Sequence, residues 1–194
     1  MLGTIPISKA PESINEVLIH SLRGIAPSTH INDVVVLLTW SGYGLHPTIH
    51  KSESLVRWRQ QNAKSRPYVL ERPHRKLILE TICNACKTWN WALLAAHIRS
   101  THLHVILDTS ATPERSMGEL KRACTNALKE ANLATWGDRI WADYGHIRPL
   151  GSPYAINKAI NYVLNGQGAP MEIHHGESGC ESCAEATPPL HRRP

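Results

Sequence analysis

The chain has 194 residues, of which 42% are hydrophobic, and no apolar run approaches membrane-spanning length. These figures argue for one soluble globular domain with tails and against a membrane protein or a membrane partner. The net charge is +5 and unevenly spread: four glutamates and two arginines after residue 167 give that tail −2, so residues 1–167 carry +7, which suits a polyanionic partner, nucleic acid first.

The first stretch, "MLGTIPISKAPESINEVLIH", lacks a basic start followed by an apolar block, so no secretory signal is visible. Cytoplasmic residence is the default expectation, with the five cysteines as reduced thiols. Residues 1–31 show weak periodicity and read as an N-terminal extension. "NDVVVLLTW" (32–40) is a β-branched and apolar run, the signature of a strand. A proline-punctuated basic segment over 51–73 follows the next loop; between 51 and 75 seven lysines and arginines face two glutamates.

In 74–90, Leu77, Ile78, Ile82, Ala85 and Cys86 fall at helix spacing. "WALLAAHIR" (91–99) and "HLHVILDT" (102–109) read as two strands of a hairpin. The segment 112–131 opens with Thr112 as N-cap, Pro113 in the first turn and Glu114 near the positive helix end, and Met117, Leu120, Cys124 and Leu128 form its apolar stripe. A strand and turn over 138–150 precede a helix over 152–166 that begins Ser-Pro and stops at Gly166. This order predicts an α+β fold: a ferredoxin-like, RRM-like antiparallel sheet with helices on one face, spanning 32–171. Residues 172–194 are expected to be a disordered tail.

Alternation along a strand puts His102 and His104 on one face and Leu103, Val105 and Leu107 on the other. Two imidazoles roughly 6–7 Å apart at their Cα atoms can converge on one ion, although a bare His-x-His by itself more often marks two polar residues facing solvent. On the last helix, Ile156, Ala159, Ile160, Val163 and Leu164 cluster on one side at 100° per residue, while Tyr162 falls off that stripe. Such a tyrosine is free to serve a neighbouring site, or simply to lie on the surface.

"AHIRSTHLHVIL", "PERSMGELKRACTNALKEANL" and "AINYVLNGQGAPM", with "LLTWSGYG" and "ERPHRKLILETICNACKTWNW" upstream in matching order, resemble the single-tyrosine transposases of the HUH (His-hydrophobic-His) endonuclease superfamily. Within it, the resemblance is to insertion-sequence transposases and their relatives associated with repetitive extragenic palindromes. It implies that His102 and His104 bind a divalent ion, Mg²⁺ or Mn²⁺, and that Tyr162 attacks a single-stranded DNA phosphodiester, forming a 5′-phosphotyrosine link and releasing a 3′-hydroxyl. Imidazole ligands make Mn²⁺ the safer expectation. A third ligand is usual after the tyrosine, with Gln167 favoured and Asn165 the substitute.

The resemblance further implies DNA with a hairpin or palindromic element as substrate, and a homodimer, with the site assembled in cis or in trans. Arg99, Arg115, Lys121, Arg122 and Arg148 are candidates for DNA contacts. Thr101 stands where the family often has asparagine, and the loops after the first strand and in "DYGHIRPLGSPY" depart from the pattern; these are loops that would help to shape DNA binding. The alternatives are a catalytically silent regulator that binds hairpin DNA or RNA, and a replication-initiator or relaxase nickase. Two Cys-x-x-Cys pairs, Cys83/Cys86 and Cys180/Cys183, with His174 and His175, also raise a structural zinc site against a background of ordinary buried cysteines. His97 is a candidate either for a group behind the site or for a satisfied structural histidine.

Overall fold

The computed structural model describes residues 34–45 and 66–176. The expected extension 1–31, most of the basic segment 51–73 and the tail from residue 177 lie outside the described residues. In chain order the elements are β1 (Val34–Gly42), α1 (Arg72–Trp89), β2 (Ala92–Ile98), β3 (His102–Thr109), α2 (Pro113–Glu130), β4 (Trp141–Pro149), α3 (Pro153–Asn165) and β5 (Glu172–His175). They form one antiparallel sheet in the order β4-β1-β3-β2-β5. The first four strands with α1 and α2 make the expected ferredoxin-like unit.

The helices do not share one face. Val36, Leu38 and Trp40 of β1 and Leu103, Val105 and Leu107 of β3 point into a core covered by α1 and α2. Leu37 of β1, Ala95 of β2 and Ile106 of β3 point the other way, onto Ala159 and Val163 of α3. The central strands are apolar on both sides, so each side needs a cover, and the third helix supplies the second. The near-continuous apolar runs of β1 and β3 carried this information.

The tail expected from residue 172 also begins differently. Glu172–His175 pair along β2, with Ile98 opposite Glu172 and Ala96 opposite His174. A four-residue polar segment has no periodicity to announce it, and it becomes a strand only because β2 offers an open edge.

The helix ends follow local chemistry. Thr112 Oγ1 accepts the Arg115 N–H at 3.4 Å and Ser152 Oγ accepts the Ala155 N–H at 3.2 Å, each with proline in the first turn. At the start of α1 the Glu71 N–H donates to His74 Nδ1 at 3.0 Å, while His74 Nε2 donates to the Leu133 carbonyl at 3.1 Å. The β2–β3 turn is tight, with the Arg99 N–H on the His102 carbonyl at 2.9 Å, so both histidines start at the hairpin and face α3.

Candidate active site

The site grows from the central strand pair. On the α3 face Thr39 of β1 lies opposite His104 of β3, which lies opposite His97 of β2. Thr39 Oγ1 is 2.8 Å from His104 Nδ1, and Thr101 Oγ1 is 2.9 Å from His102 Nδ1. Each imidazole is thus oriented through Nδ1 by a threonine hydroxyl. The His102 and His104 rings meet edge to face at 5.0 Å between centroids.

Gln167 completes the group. Its Oε1 lies 3.1 Å from His104 Nε2, and the same side chain hydrogen-bonds His102. Asn165, the substitute from sequence, is exposed and donates to Asn161 Oδ1 at 2.7 Å instead. Tyr162 lies half-exposed with its ring 5.8 Å from His104, planes inclined by 75°. The apolar stripe of α3 is the one expected, Ala159 and Val163 being buried with Ile156, Ile160 and Leu164 against them, which leaves Tyr162 at the margin where the histidines are.

Burial pushes His104 down to about 4, with the neighbouring His102 as the next cause, and burial is also the main reason that His102 is lowered. Both rings are therefore neutral near pH 7 and keep a lone pair for a ligand. Among the described residues no three His, Cys, Asp or Glu side chains converge as a metal site, and this group reaches three donors only through the Gln167 amide. Gln167 Nε2 is buried without a hydrogen-bond partner among the described residues, so the carbonyl end of the amide is the end turned to the imidazoles. Two neutral imidazoles and one amide oxygen fit a first-row divalent ion such as Mn²⁺ better than Mg²⁺, which prefers an all-oxygen shell.

Two further features hold the tyrosine and glutamine in place. His97 is fully buried; its Nδ1 donates to the Val163 carbonyl at 2.9 Å and its Nε2 accepts the Met171 N–H at 3.2 Å. One neutral ring thereby clamps the end of α3, next to Tyr162, and the far end of the loop that carries Gln167. Gly166, which follows the helix, sits so close that an added Cβ would lie 2.8 Å from the Tyr162 carbonyl oxygen and 2.9 Å from Cδ2 of its ring. Thr39 escaped the sequence reading, although a lone hydroxyl between Leu38 and Trp40 in a buried run was the available signal.

The expected DNA-contact residues separate. Arg99 donates to the Ala169 carbonyl at 3.0 Å and so braces the Gln167 loop. Arg148 is exposed on β4 opposite Leu37, on the histidine face. Arg115, Lys121 and Arg122 belong to α2, which covers the other face of the sheet. Of these, Arg115 is exposed, Arg122 pairs with Glu119, and Lys121 is half-buried with its amine donating to the Ala142 carbonyl at 2.9 Å.

Comparison with known proteins follows the same lines. Residues 61–165, just over half of the chain, match the family described as transposase, IS200-like. That match contains His102, His104 and Tyr162 and ends two residues before Gln167. A search of the curated proteins returns no match. Among solved structures, a REP-associated tyrosine transposase bound to a REP hairpin aligns at 10% identity and TM-score 0.43, over 73% of this chain and 70% of that one. A transposase-like protein of Deinococcus radiodurans aligns at 15% identity and TM-score 0.42, over 74% of this chain and 98% of that one. The family match, made over the segment that supplies the tyrosine and both histidines, means that this chain belongs to the IS200-like transposase family.

Proposed function

We propose that this transposase cuts and rejoins single-stranded DNA by transesterification, with Tyr162 as nucleophile. The observation that carries the reading is the convergence of Tyr162, His102, His104 and Gln167 at one point of one chain. The phenol oxygen of Tyr162 attacks the phosphorus of a phosphodiester, the phosphorus–oxygen bond to the 3′-oxygen breaks, and that oxygen leaves with a proton as a 3′-hydroxyl. The 5′-phosphate stays on the tyrosine, so the bond energy is kept and the reverse attack reseals a strand without ATP.

His102, His104 and Gln167 would hold a divalent ion, which when bound supplies Lewis-acid polarisation of the phosphate. The threonine hydroxyls fix the imidazole rings, and His97 and Arg99 fix the loop and helix end that carry Gln167 and Tyr162. No residue from a second chain is needed to complete this group, which favours assembly in cis. Hairpin-containing strands are the substrates the family resemblance implies.

The test is a denaturing gel of the purified protein with Mn²⁺ and labelled single strands from both flanks of its own gene. A labelled protein–DNA band that disappears with EDTA and in Tyr162→Phe is expected. A band that persists in Tyr162→Phe would remove the tyrosine from the chemistry, and hairpin binding with no band under any condition would move the protein to the silent regulator.

A further inference from the structure

The sheet face that carries the histidines is only partly covered. α3 enters beside β1, where the Leu150 N–H donates to the Val35 carbonyl at 2.8 Å, and ends over β2, where the Val163 carbonyl accepts from His97 at 2.9 Å. It therefore crosses the sheet on a diagonal and leaves the corner of β1 and β4 open, on the side where Tyr162 meets His104. There the register makes His97, His104, Thr39 and His146 neighbours across four strands, with Arg148 two residues further along β4 on the same face. His146 and Arg148 are both exposed, and two strand spacings put His146 about 10 Å from His104.

The flank of α3 that borders this opening is aromatic and basic. Tyr154, Lys158 and Tyr162 recur every four residues and so form one row along the helix, on the side of its apolar stripe where the histidines lie. Lys158 is exposed, Tyr162 is 50% exposed and Tyr154 is 75% exposed, so the fold makes little use of the Tyr154 ring. α3 contains no acidic residue, and Asp143, the one acid of β4, is paired with Arg139. Neither Lys158 nor Arg148 has an ion-pair partner among the described residues. At 1.5 Å of rise per residue, Tyr154 lies about 12 Å from Tyr162 along the helix, the length of roughly two to four nucleotides if a stacked one takes about 3.4 Å.

We infer that this opening is a track for the unpaired DNA next to the scissile phosphate, in which Tyr154 stacks on a base while Lys158 and Arg148 contact phosphates. The inference rests on the DNA-cutting reading above and adds to it a binding role for residues that take no part in the chemistry. Stacking needs an open base face, so the track selects single strands over duplex and tolerates any base sequence.

Fluorescence anisotropy with a labelled oligothymidylate of about twelve nucleotides tests this, using the full chain with Tyr162→Phe as the parent so that binding is read without turnover. Adding Tyr154→Ala is expected to weaken binding by about 5–100-fold, and adding Tyr154→Trp to preserve it. Lys158→Ala should lower the slope of log affinity against log salt by about 0.7. Trp136→Ala, which removes a similarly exposed ring that lies against Lys129 of α2, should change nothing. On a strand of the same length that lacks bases, the parent and Tyr154→Ala should bind alike. Equal binding of these two proteins to oligothymidylate would overturn the inference, and so would an equal loss on the base-free strand, since Tyr154 would then act through the fold or the phosphates. A matching loss in Trp136→Ala, or equal affinity of the parent for the thymidylate–adenylate duplex, would overturn it as well. A base-dependent loss in Tyr154→Ala supports the track even where no adduct forms on Tyr162 in the unsubstituted protein, and that absence would count against the DNA-cutting reading alone.

Discussion

Thr39 shows how much of the site depends on one hydroxyl. Its Oγ1 holds His104 Nδ1 from the neighbouring strand, and Thr101 does the same for His102 from the adjacent position. Thr39→Val keeps the shape of the side chain and removes the partner, so the ring is left to rotate. We expect the Mn²⁺ concentration needed for half-maximal adduct formation to rise by about 10–100-fold, read by metal titration of the gel assay. An unchanged titration would show that packing alone fixes the ring. Gly166→Ala tests the other side of the group. The added methyl would meet the Tyr162 ring and carbonyl at under 3 Å, so we expect adduct formation to slow by at least about tenfold, an effect of misplaced reacting groups. A rate like that of the parent protein would mean that the ring moves aside without consequence.

At the level of elements, the notable dependence is of α3 and its following loop on β2. α3 covers the sheet with only Ala159 and Val163 buried, and a cover that small is not positioned by apolar area alone. His97 adds two directed bonds, to Val163 and Met171, from inside the sheet. His97→Leu would remove the partner of the buried Val163 carbonyl and of the half-buried Met171 N–H, and we expect a loss of roughly 2–4 kcal/mol in chemical denaturation. Hydrogen exchange should accelerate first in residues 163–171, and a uniform acceleration over the sheet would point to a general core defect instead. The cap of α3 is a milder control: Ser152→Ala is expected to cost about 1 kcal/mol, measured in the same way.

For the whole molecule, the two-sided architecture sorts the charges. Arg148 is exposed on the histidine face, whereas Arg115 and Arg122 ride on the helix that covers the other face. For a strand bound at Tyr162, Arg148→Ala should lower the slope of log affinity against log salt by about 0.7, and Arg115→Ala should leave it unchanged. Binding measured by fluorescence anisotropy over a salt series checks this. Equal effects of the two substitutions would mean that the DNA also wraps the α2 face. Among the described residues no helix is long and apolar enough to cross a membrane, in keeping with the hydropathy of the chain.

The sequence by itself determined the elements from β1 to α3 and which side of several of them is apolar. Periodicity placed the stripes of α2 and α3, Thr112 and Ser-Pro marked the helix starts, and alternation put His102 and His104 together on one face of β3. All of these depend on neighbours within a few residues, so the chain carries them locally. What the tertiary structure decided depends on residues that meet across strands. The sheet order placed Thr39 and His97 on either side of His104, the second apolar face of β1 and β3 drew α3 away from α1 and α2, and the open edge of β2 made a strand of Glu172–His175. The position of Gln167 belongs to the same class: α3 ends at Asn165, and the turn that follows it brings the Gln167 amide to His104. Hydrogen bonds between residues more than sixty positions apart leave no periodic trace in a single chain, because nothing local in either segment requires the other.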